Sequence, residues 1–165
     1  MHRMNKVIVI GCPGSGKSLF SRVLHGKVGI PLYHLDLMYW QADRTTVDKS
    51  VFLARLHATI EKESWIIDGN YGSTMEMRLA ACDTVFFLDY PPEVCLSGVE
   101  ERRGKPRPDM PWVETEPDEE FISFIKNYHT ESRPKVMELF EKYSDKNIII
   151  FKSRAEADAF LTSIE

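Results

Sequence analysis

One stretch of eight residues, residues 11–18, constrains this chain more than any other. It reads Gly-Cys-Pro-Gly-Ser-Gly-Lys-Ser and matches the pattern G-x-x-x-x-G-K-[ST]. It stands between an apolar run, residues 7–10, and a segment of helical composition, residues 19–24. A strand, a glycine-rich loop and a helix in this order form a turn that wraps a phosphate chain, so we expect that local fold here.

The residues of this loop explain how it would bind a nucleotide. Glycines let the backbone direct its N–H groups at an anion, and the following helix adds the positive end of its dipole. Lys17 would place a charge near the β and γ phosphates, and Ser18 would offer its hydroxyl to Mg²⁺. We predict a site for ATP or GTP with Mg²⁺, formed by Gly11, Pro13, Gly14, Ser15, Gly16, Lys17 and Ser18.

Short apolar runs alternate with segments of helical spacing along the chain. The runs occupy residues 6–10, 30–35, 64–67, 84–88 and 147–151. Helical spacing follows Asp48, the pair Pro91-Pro92 and residues 117–118, and a last helix is expected over residues 154–164. Strands that are apolar throughout are usually covered on both faces. We predict an α/β P-loop domain with a five-stranded parallel sheet and helices on both faces.

Composition narrows the class of protein. At 165 residues the chain has the usual length of one domain, predicted over residues 1–165. Without a membrane-spanning run of roughly 20 apolar residues or a signal-peptide core, we expect a cytoplasmic protein. The net charge of −4 argues against direct nucleic-acid binding. Cys12, Cys82 and Cys95 lack CxxC spacing and are interpreted as reduced thiols. A monomer and a homodimer both fit.

Two aspartates end predicted strands and are candidates for the metal site. Asp68 closes an apolar run after Trp65, and Asp89 closes the next run after Leu88. A carboxylate at the carboxyl end of a parallel strand reaches the ligand edge of the sheet and can hold Mg²⁺ through water. We favour Asp68 as the metal residue, with Asp89 as the alternative. Otherwise Asp89 is a turn residue that caps the next helix.

The end of the second predicted strand offers residues for a phosphate acceptor. Asp36 is expected at the ligand edge, where it would bind the acceptor hydroxyl or act as its general base. The alternative is that Asp36 begins a turn or caps residues 37–40, while His34 packs under the sheet. Tyr39, Trp40 and Tyr71 offer rings that could stack on a base or sugar, although such rings are more often core residues.

Several arginines are candidates for binding the moving phosphate or an anionic acceptor. Arg78 would clamp an anionic acceptor, or else form a surface ion pair with Glu76. Arg102, Arg103 and Arg107 surround the start of a proline-rich stretch, residues 104–118, which is predicted to be a lid. A solvated basic run is the alternative. Arg133 would reach the same phosphates.

Motifs spread over nearly the whole chain resemble one known family. The residue 11–18 loop, His34-Leu35-Asp36, the run from Trp65 to Tyr71 and the stretch after Arg103 look like the DNA topology modulation protein family, which is similar to adenylate kinases. This resemblance implies a nucleoside monophosphate kinase-like fold with a lid and an Asp68 that serves Mg²⁺.

Site roles and activity also follow from the resemblance. It implies that Arg102 or Arg103 lies against the adenine and that the loop containing Lys152 flanks the base. The Pro-Arg that follows Asp-Gly-Phe in adenylate kinases is missing after Asp68-Gly69. The implied activity is transfer of the γ-phosphate of ATP to a small acceptor. A small-metabolite kinase, as among shikimate and gluconate kinases, and a nucleotide-binding regulator linked to DNA topology both remain open.

Overall fold

A computed structural model describes residues 4–106, 111 and 119–164. Within these residues the strands are β1 (Lys6–Gly11), β2 (Leu32–His34), β3 (Trp65–Asp68), β4 (Thr84–Leu88) and β5 (Asn147–Phe151). The helices are α1 (Lys17–Val28), α2 (Leu35–Tyr39), α3 (Lys49–Ile60), α4 (Gly72–Ala81), α5 (Pro92–Arg102), α6 (Glu119–Glu131), α7 (Arg133–Lys142) and α8 (Arg154–Ser163).

The strands form one parallel sheet in the order β2-β3-β1-β4-β5. Strands β3 and β4 are buried along their whole length, and β1 is buried from its second residue onward, because each is apolar on both sides of the pleat. The prediction of a five-stranded parallel P-loop sheet is confirmed.

Two adjacent phenylalanines of β4 show that helices cover both faces of the sheet. Phe86 packs against Phe20 of α1 and Phe160 of α8, at ring-centroid distances of 5.2 and 5.1 Å. Phe87 packs against Phe140 of α7 at 5.7 Å. Successive side chains of a strand point to opposite faces, so α1 and α8 lie on one face and α7 lies on the other. No described helix is long and apolar enough to cross a membrane.

The region around β2 differs from the sequence-based prediction. The run predicted over residues 30–35 is a strand only at Leu32–His34, and the next five residues form helix α2. Asp36 therefore lies in the first turn of a helix and not at the end of a strand, which corrects the predicted placement. A carboxylate is favourable there because the helix dipole is positive at its N-terminus.

Proline residues start helix α5 as predicted, but Asp89 does not cap it. Pro91 is the N-cap residue and Pro92 is the first helical residue, where the missing N–H costs little. The Asp89 carboxylate instead accepts hydrogen bonds from Arg133 Nε and Nη2, at 2.8–3.0 Å, and from Lys152 Nζ at 2.6 Å. This ion-pair cluster ties the end of β4 to α7 and to the end of β5.

The loop of residues 11–18, called the phosphate loop below, contacts helix α5 through a pair of glycines. A Cβ atom on Gly98 would lie 2.0 Å from the carbonyl oxygen of Gly14, and one on Gly14 would lie 2.0 Å from that of Cys95. These distances are far below van der Waals contact, so the loop can rest on the helix only because both side chains are absent. Gly98 was not singled out in the sequence, where it is one glycine within a helical segment.

The Gly98→Ala variant should lose stability because its methyl group would collide with the loop backbone. We expect the free energy of unfolding to fall by about 1–3 kcal/mol, although alanine is the better helix former by about 1 kcal/mol. Gly26→Ala in α1 is the matched control, because nothing lies within 4 Å of the added atom. It should gain about 0.5–1 kcal/mol. Denaturant unfolding measures both, and an unchanged or stabilised Gly98→Ala protein would contradict the contact.

The Asp89 cluster should make part of the stability dependent on pH. Burial opposes ionisation of Asp89, but the hydrogen bonds from Arg133 and Lys152 outweigh it, so the pKa of this carboxyl lies below its ordinary value of 3.8. A carboxyl whose folded pKa is depressed stabilises the fold above its unfolded pKa, and that stabilisation is lost as the pH falls through the folded pKa.

We expect Asp89→Asn to lower the free energy of unfolding by about 2 kcal/mol at pH 7. The loss is moderate because solvent screens both partners: the side chain of Lys152 is 61% exposed and that of Arg133 is 28% exposed. The difference in unfolding free energy between this variant and the wild type should become smaller below about pH 4, as measured by unfolding titrations. Asp158→Asn, at an exposed position of α8, is the control. A gap that does not change with pH would refute the role of the ion pairs.

Candidate active site

The loop between β1 and α1 has the backbone conformation of an anion cradle. Gly14 has φ +85° and Gly16 has φ +99°, values that side-chain-bearing residues rarely adopt. Gly16 is the N-cap residue of α1, with no capping hydrogen bond from a side chain. The first N–H groups of a helix have no acceptor within it, and an anion can satisfy them.

Two hydroxyl groups of the loop are buried without a hydrogen-bond partner in the described part of the chain. They are Ser15 Oγ and Ser18 Oγ. Buried polar groups are almost always hydrogen-bonded, so an orphaned hydroxyl calls for an explanation. A phosphate oxygen and a metal ion are ligands that would satisfy these groups.

Lys17 is a partly buried cation beside these hydroxyls. Its Nζ donates to the Cys12 carbonyl at 3.4 Å, which is a long hydrogen bond. Burial lowers the pKa of Lys17, the charges of Asp68 and Asp36 raise it, and the charge of Arg102 lowers it. The loop cation therefore lies within electrostatic reach of two carboxylates and one guanidinium.

The chemistry of these groups fits a magnesium nucleotide. Lys17 and the α1 N-terminus suit a polyphosphate, and the Ser18 hydroxyl and the Asp68 carboxylate are hard oxygen ligands. No group of three or more His, Cys, Asp or Glu residues that could hold a metal ion occurs in the described residues. Mg²⁺ sites in proteins are commonly completed by water and substrate phosphates.

Asp68 is paired with a histidine from the neighbouring strand. His34 and Asp68 are partners in the β2–β3 register, and Nδ1 of His34 lies 2.7 Å from Oδ2 of Asp68. Both side chains are buried. The sequence alone left His34 between a functional role and packing under the sheet; the structure shows it buried and bound to Asp68.

Arg78 occupies a place that neither sequence interpretation described. Its side chain is 0% exposed, so it forms no surface pair with Glu76, which bonds to Lys142 and Tyr143. The guanidinium donates to the carbonyls of the three residues that precede α4, and Nε donates to Thr74. These bonds take four of the five N–H groups, so Arg78 clamps the turn, and its predicted contact with an acceptor stays a prediction.

Asp36 and the aromatic residues meet above that turn. The Tyr71 hydroxyl donates to Asp36 Oδ1 at 2.5 Å. Tyr39 packs edge-on against Trp40 and Tyr71, at centroid distances of 5.9 and 5.3 Å. The predicted candidates Asp36, Tyr39, Trp40 and Tyr71 thus form one cluster, with its carboxylate within electrostatic reach of Lys17.

The predicted arginines of the lid have separate surroundings. Arg102 lies within reach of Lys17 and over the ring of Phe121, at 5.8 Å from the centroid. Arg103 forms a 2.5 Å surface pair with Glu100. Arg107 lies outside the described residues, as does most of the predicted lid, residues 104–118. The charge of Arg102 thus acts on Lys17 of the phosphate loop, and Arg103 is paired with Glu100.

Arg133 and Lys152, the remaining predicted residues, are both bound to Asp89. All three of these side chains were candidates for phosphate, base or metal contacts. Their charges are instead paired with each other in the ion-pair cluster already described. Their roles towards a nucleotide stay predictions.

Two residues that the sequence did not single out also contact the loop. Asn70 Oδ1 accepts a hydrogen bond from the Gly11 N–H at 3.2 Å. Arg154 donates to the Gly14 carbonyl at 3.2 Å and lies over the ring of Tyr90, 6.0 Å from the centroid. The position of Asn70 directly after Asp68-Gly69 was a usable signal for the first contact. Arg154 stands in the stretch directly after β5, for which the resemblance implied only a place beside the base.

The loop cysteine lies beside a second buried thiol. Cys12 and Cys95 are both buried, and their side chains are hydrogen-bonded. This hydrogen bond, together with burial, raises the pKa of Cys12, although the charge of Lys17 opposes the shift. The Cys12 thiol is therefore protonated at neutral pH and has little of the nucleophilic character of a thiolate.

Comparison with known proteins places this geometry in a known fold. No protein-family model and no curated protein matches the chain. A solved shikimate kinase from Acinetobacter baumannii, in complex with shikimate, has a TM-score of 0.64 at 15% identity over 98% of this chain and 90% of that one. The shikimate kinase from Bacteroides thetaiotaomicron has a TM-score of 0.57 at 19% identity, over 97% of this chain and 95% of that one. The shikimate kinase from Aquifex aeolicus has a TM-score of 0.54 at 21% identity, over 96% of this chain and 92% of that one. The chain thus has the P-loop fold of shikimate kinases.

Proposed function

We propose that this protein is an ATP-dependent phosphotransferase of the nucleoside monophosphate kinase type, which transfers the γ-phosphate to a small acceptor. The observation that carries the proposal is the pair of orphaned hydroxyls, Ser15 and Ser18, beside the partly buried Lys17. A polyphosphate would satisfy all three groups at once. The carboxylate of Asp36, within reach of the same lysine, supplies the second half of a kinase site.

Each group has a role in the proposed reaction. Lys17 and the α1 N-terminus bind the phosphates of ATP, and Arg102 adds positive charge beside them. Mg²⁺, bound by Ser18 and through water by Asp68, would neutralise charge on the transferred group. His34 holds the Asp68 carboxylate in place by its hydrogen bond.

The proposed chemical step is an in-line displacement. The acceptor oxygen forms a bond to the γ-phosphorus, and the bond from that phosphorus to the bridging oxygen breaks, so that ADP leaves. A hydroxyl acceptor passes its proton to the carboxylate of Asp36, which later releases it to water, whereas a monophosphate acceptor attacks through an ionised phosphate oxygen and gives Asp36 no proton. In such a reaction the protein contributes mainly position and electrostatic stabilisation.

The surroundings of Arg78 leave room for an acceptor that is not a monophosphate. An acceptor phosphate is usually gripped by an arginine fork, and the arginine that the sequence offered for this purpose is bound to backbone carbonyls. A small-metabolite alcohol is therefore the second candidate within the same reaction class. A binding regulator without acceptor turnover is the alternative outside it.

A panel of nucleosides, their 5′-monophosphates and cyclic polyols, tested with Mg·ATP for ADP formation, separates these functions. Preference for a monophosphate over its parent nucleoside identifies a nucleoside monophosphate kinase. Turnover with uncharged alcohols alone identifies the second candidate. Nucleotide binding with no acceptor-dependent turnover would overturn the kinase proposal and leave the regulator.

Replacing Lys17 with alanine should weaken nucleotide binding sharply. The variant loses a charge-assisted contact to phosphate, so we expect affinity for Mg·ATP to fall about 10- to 100-fold in calorimetry, with Mg·GTP measured alongside. Lys27→Ala, at an exposed position of the same helix, should bind as the wild type does. Equal affinities of the Lys17→Ala and wild-type proteins would contradict the assignment of the loop.

Replacing Asp36 with asparagine should slow the chemical step without weakening ATP binding. Loss of a general base lowers kcat by about 10²- to 10⁴-fold, while the KM for Mg·ATP should stay within about twofold, measured with the best alcohol acceptor of the panel. Asp43→Asn, at an exposed position, is the matched control. A kcat that is unchanged by Asp36→Asn would exclude Asp36 as the base.

A further inference from the structure

We propose that Tyr71 is a positioning residue that orients the Asp36 carboxylate for proton transfer, and that the buried Arg78 holds Tyr71 in the conformation that makes this contact. The inference rests on the proposed function, in which Asp36 accepts the proton of the acceptor hydroxyl. It gives a function to the turn of residues 69–71, whose backbone conformation is energetically unfavourable.

The backbone of Tyr71 is held in an unfavourable conformation. Its φ of 38° and ψ of 72° lie in the left-handed region, which an aromatic residue adopts only at an energetic cost. Such strain persists only where the surrounding structure imposes it, and it concentrates at functional sites. Gly69, two residues earlier in the same turn, also has a positive φ, of 133°.

Arg78 supplies the constraint that maintains this conformation. Its guanidinium bridges the carbonyls of Gly69, Asn70 and Tyr71, with Nη1 at 3.0 Å from the first and Nη2 at 3.3 Å from the last. Thr74 links the same two residues, because its hydroxyl donates to the Tyr71 carbonyl at 3.0 Å and accepts a hydrogen bond from Arg78 Nε at 3.2 Å. A charged group is buried here only because these bonds satisfy it.

Ring packing then directs the phenol at its target. The Tyr71 ring packs against those of Tyr39 and Phe52, at centroid distances of 5.3 and 5.2 Å. Its hydroxyl lies 2.5 Å from Oδ1 of Asp36. Burial, and then the charge of Asp36, raise the pKa of Tyr71, so the phenol keeps its proton and acts as a donor. A fixed donor on one oxygen sets the plane of the carboxylate and favours its ionised form.

Tyr71→Phe tests the contact because it removes one hydroxyl and keeps the ring. We expect kcat to fall about 10-fold, the KM for Mg·ATP to stay within about twofold, and the acid limb of the kcat–pH profile to move to higher pH, because the ionised base has lost a donor. Tyr143→Phe is the matched control, since it removes another phenol–carboxylate bond, the 2.9 Å contact with Glu76. It should change none of these quantities.

Arg78→Lys tests whether the arginine acts through Tyr71. If it does, Arg78→Lys lowers kcat in the wild type but costs much less in the Tyr71→Phe background, which is a non-additive double-mutant cycle. Additive losses in kcat would overturn the clamp. A rise in acceptor KM in both backgrounds would do the same and would return Arg78 to direct acceptor contact.

A readout without turnover checks the geometry itself. In protein labelled with ¹³C at tyrosine Cζ, Asp36→Asn should shift the Tyr71 resonance, whereas Asp43→Asn should not. An unmoved resonance would overturn the inference. If Asp36→Asn abolishes turnover while Tyr71→Phe is silent, the inference fails and the proposed function stands. If no acceptor supports turnover in the wild type, the proposed function fails and the positioning role fails with it.

Discussion

The parallel register around β1 is the constraint on which the site depends. β1 pairs with β3 on one side, where Val9 lies opposite Asp68, and with β4 on the other, where Gly11 lies opposite Leu88. All three strands therefore end at one edge of the sheet, where the phosphate loop, the turn of residues 69–71 and Asp89 come together. The hydrogen bond from the Gly11 N–H to Asn70 joins the first two directly. A slip of one residue would exchange the faces of a strand and separate these groups.

The two cations at this edge of the sheet, Arg78 and Lys17, differ in how far hydrogen bonds compensate the burial of their charge. Arg78 obtains its hydrogen bonds from the protein itself, so its burial is compensated before any ligand arrives. Lys17 has the 3.4 Å contact with a carbonyl and the more distant charges of Asp36 and Asp68. Desolvation of its ammonium is thus only partly offset, and an arriving polyphosphate would recover the remainder. The difference supports the proposed roles, in which Lys17 binds the ligand and Arg78 stabilises the turn.

The sequence predicts what is local and misses what depends on register. The strand–loop–helix around Lys17 and the apolar runs of β1, β3 and β4 were readable because periodicity and motif are contained in adjacent residues. Helix α2 was missed because it directly follows β2 and has only five residues, too few for a helical period to show in the sequence. Arg78 looked like a surface or ligand residue because an arginine is rarely buried, and its carbonyl partners become visible only once the turn is folded. The roles of the predicted site residues stay predictions.

The two halves of the candidate site differ in how far they are organised before a ligand binds. At the donor half, the orphaned hydroxyls of Ser15 and Ser18 leave binding energy to be gained from phosphate and metal. At the acceptor half, Asp36 already holds a short hydrogen bond from Tyr71. A base that is oriented beforehand needs no reorganisation as the proton moves, which is where electrostatic catalysis gains most. Affinity for the nucleotide and rate of transfer should therefore be controlled by different residues of one sheet edge, because the groups that gain bonds on binding are not the groups that hold the base.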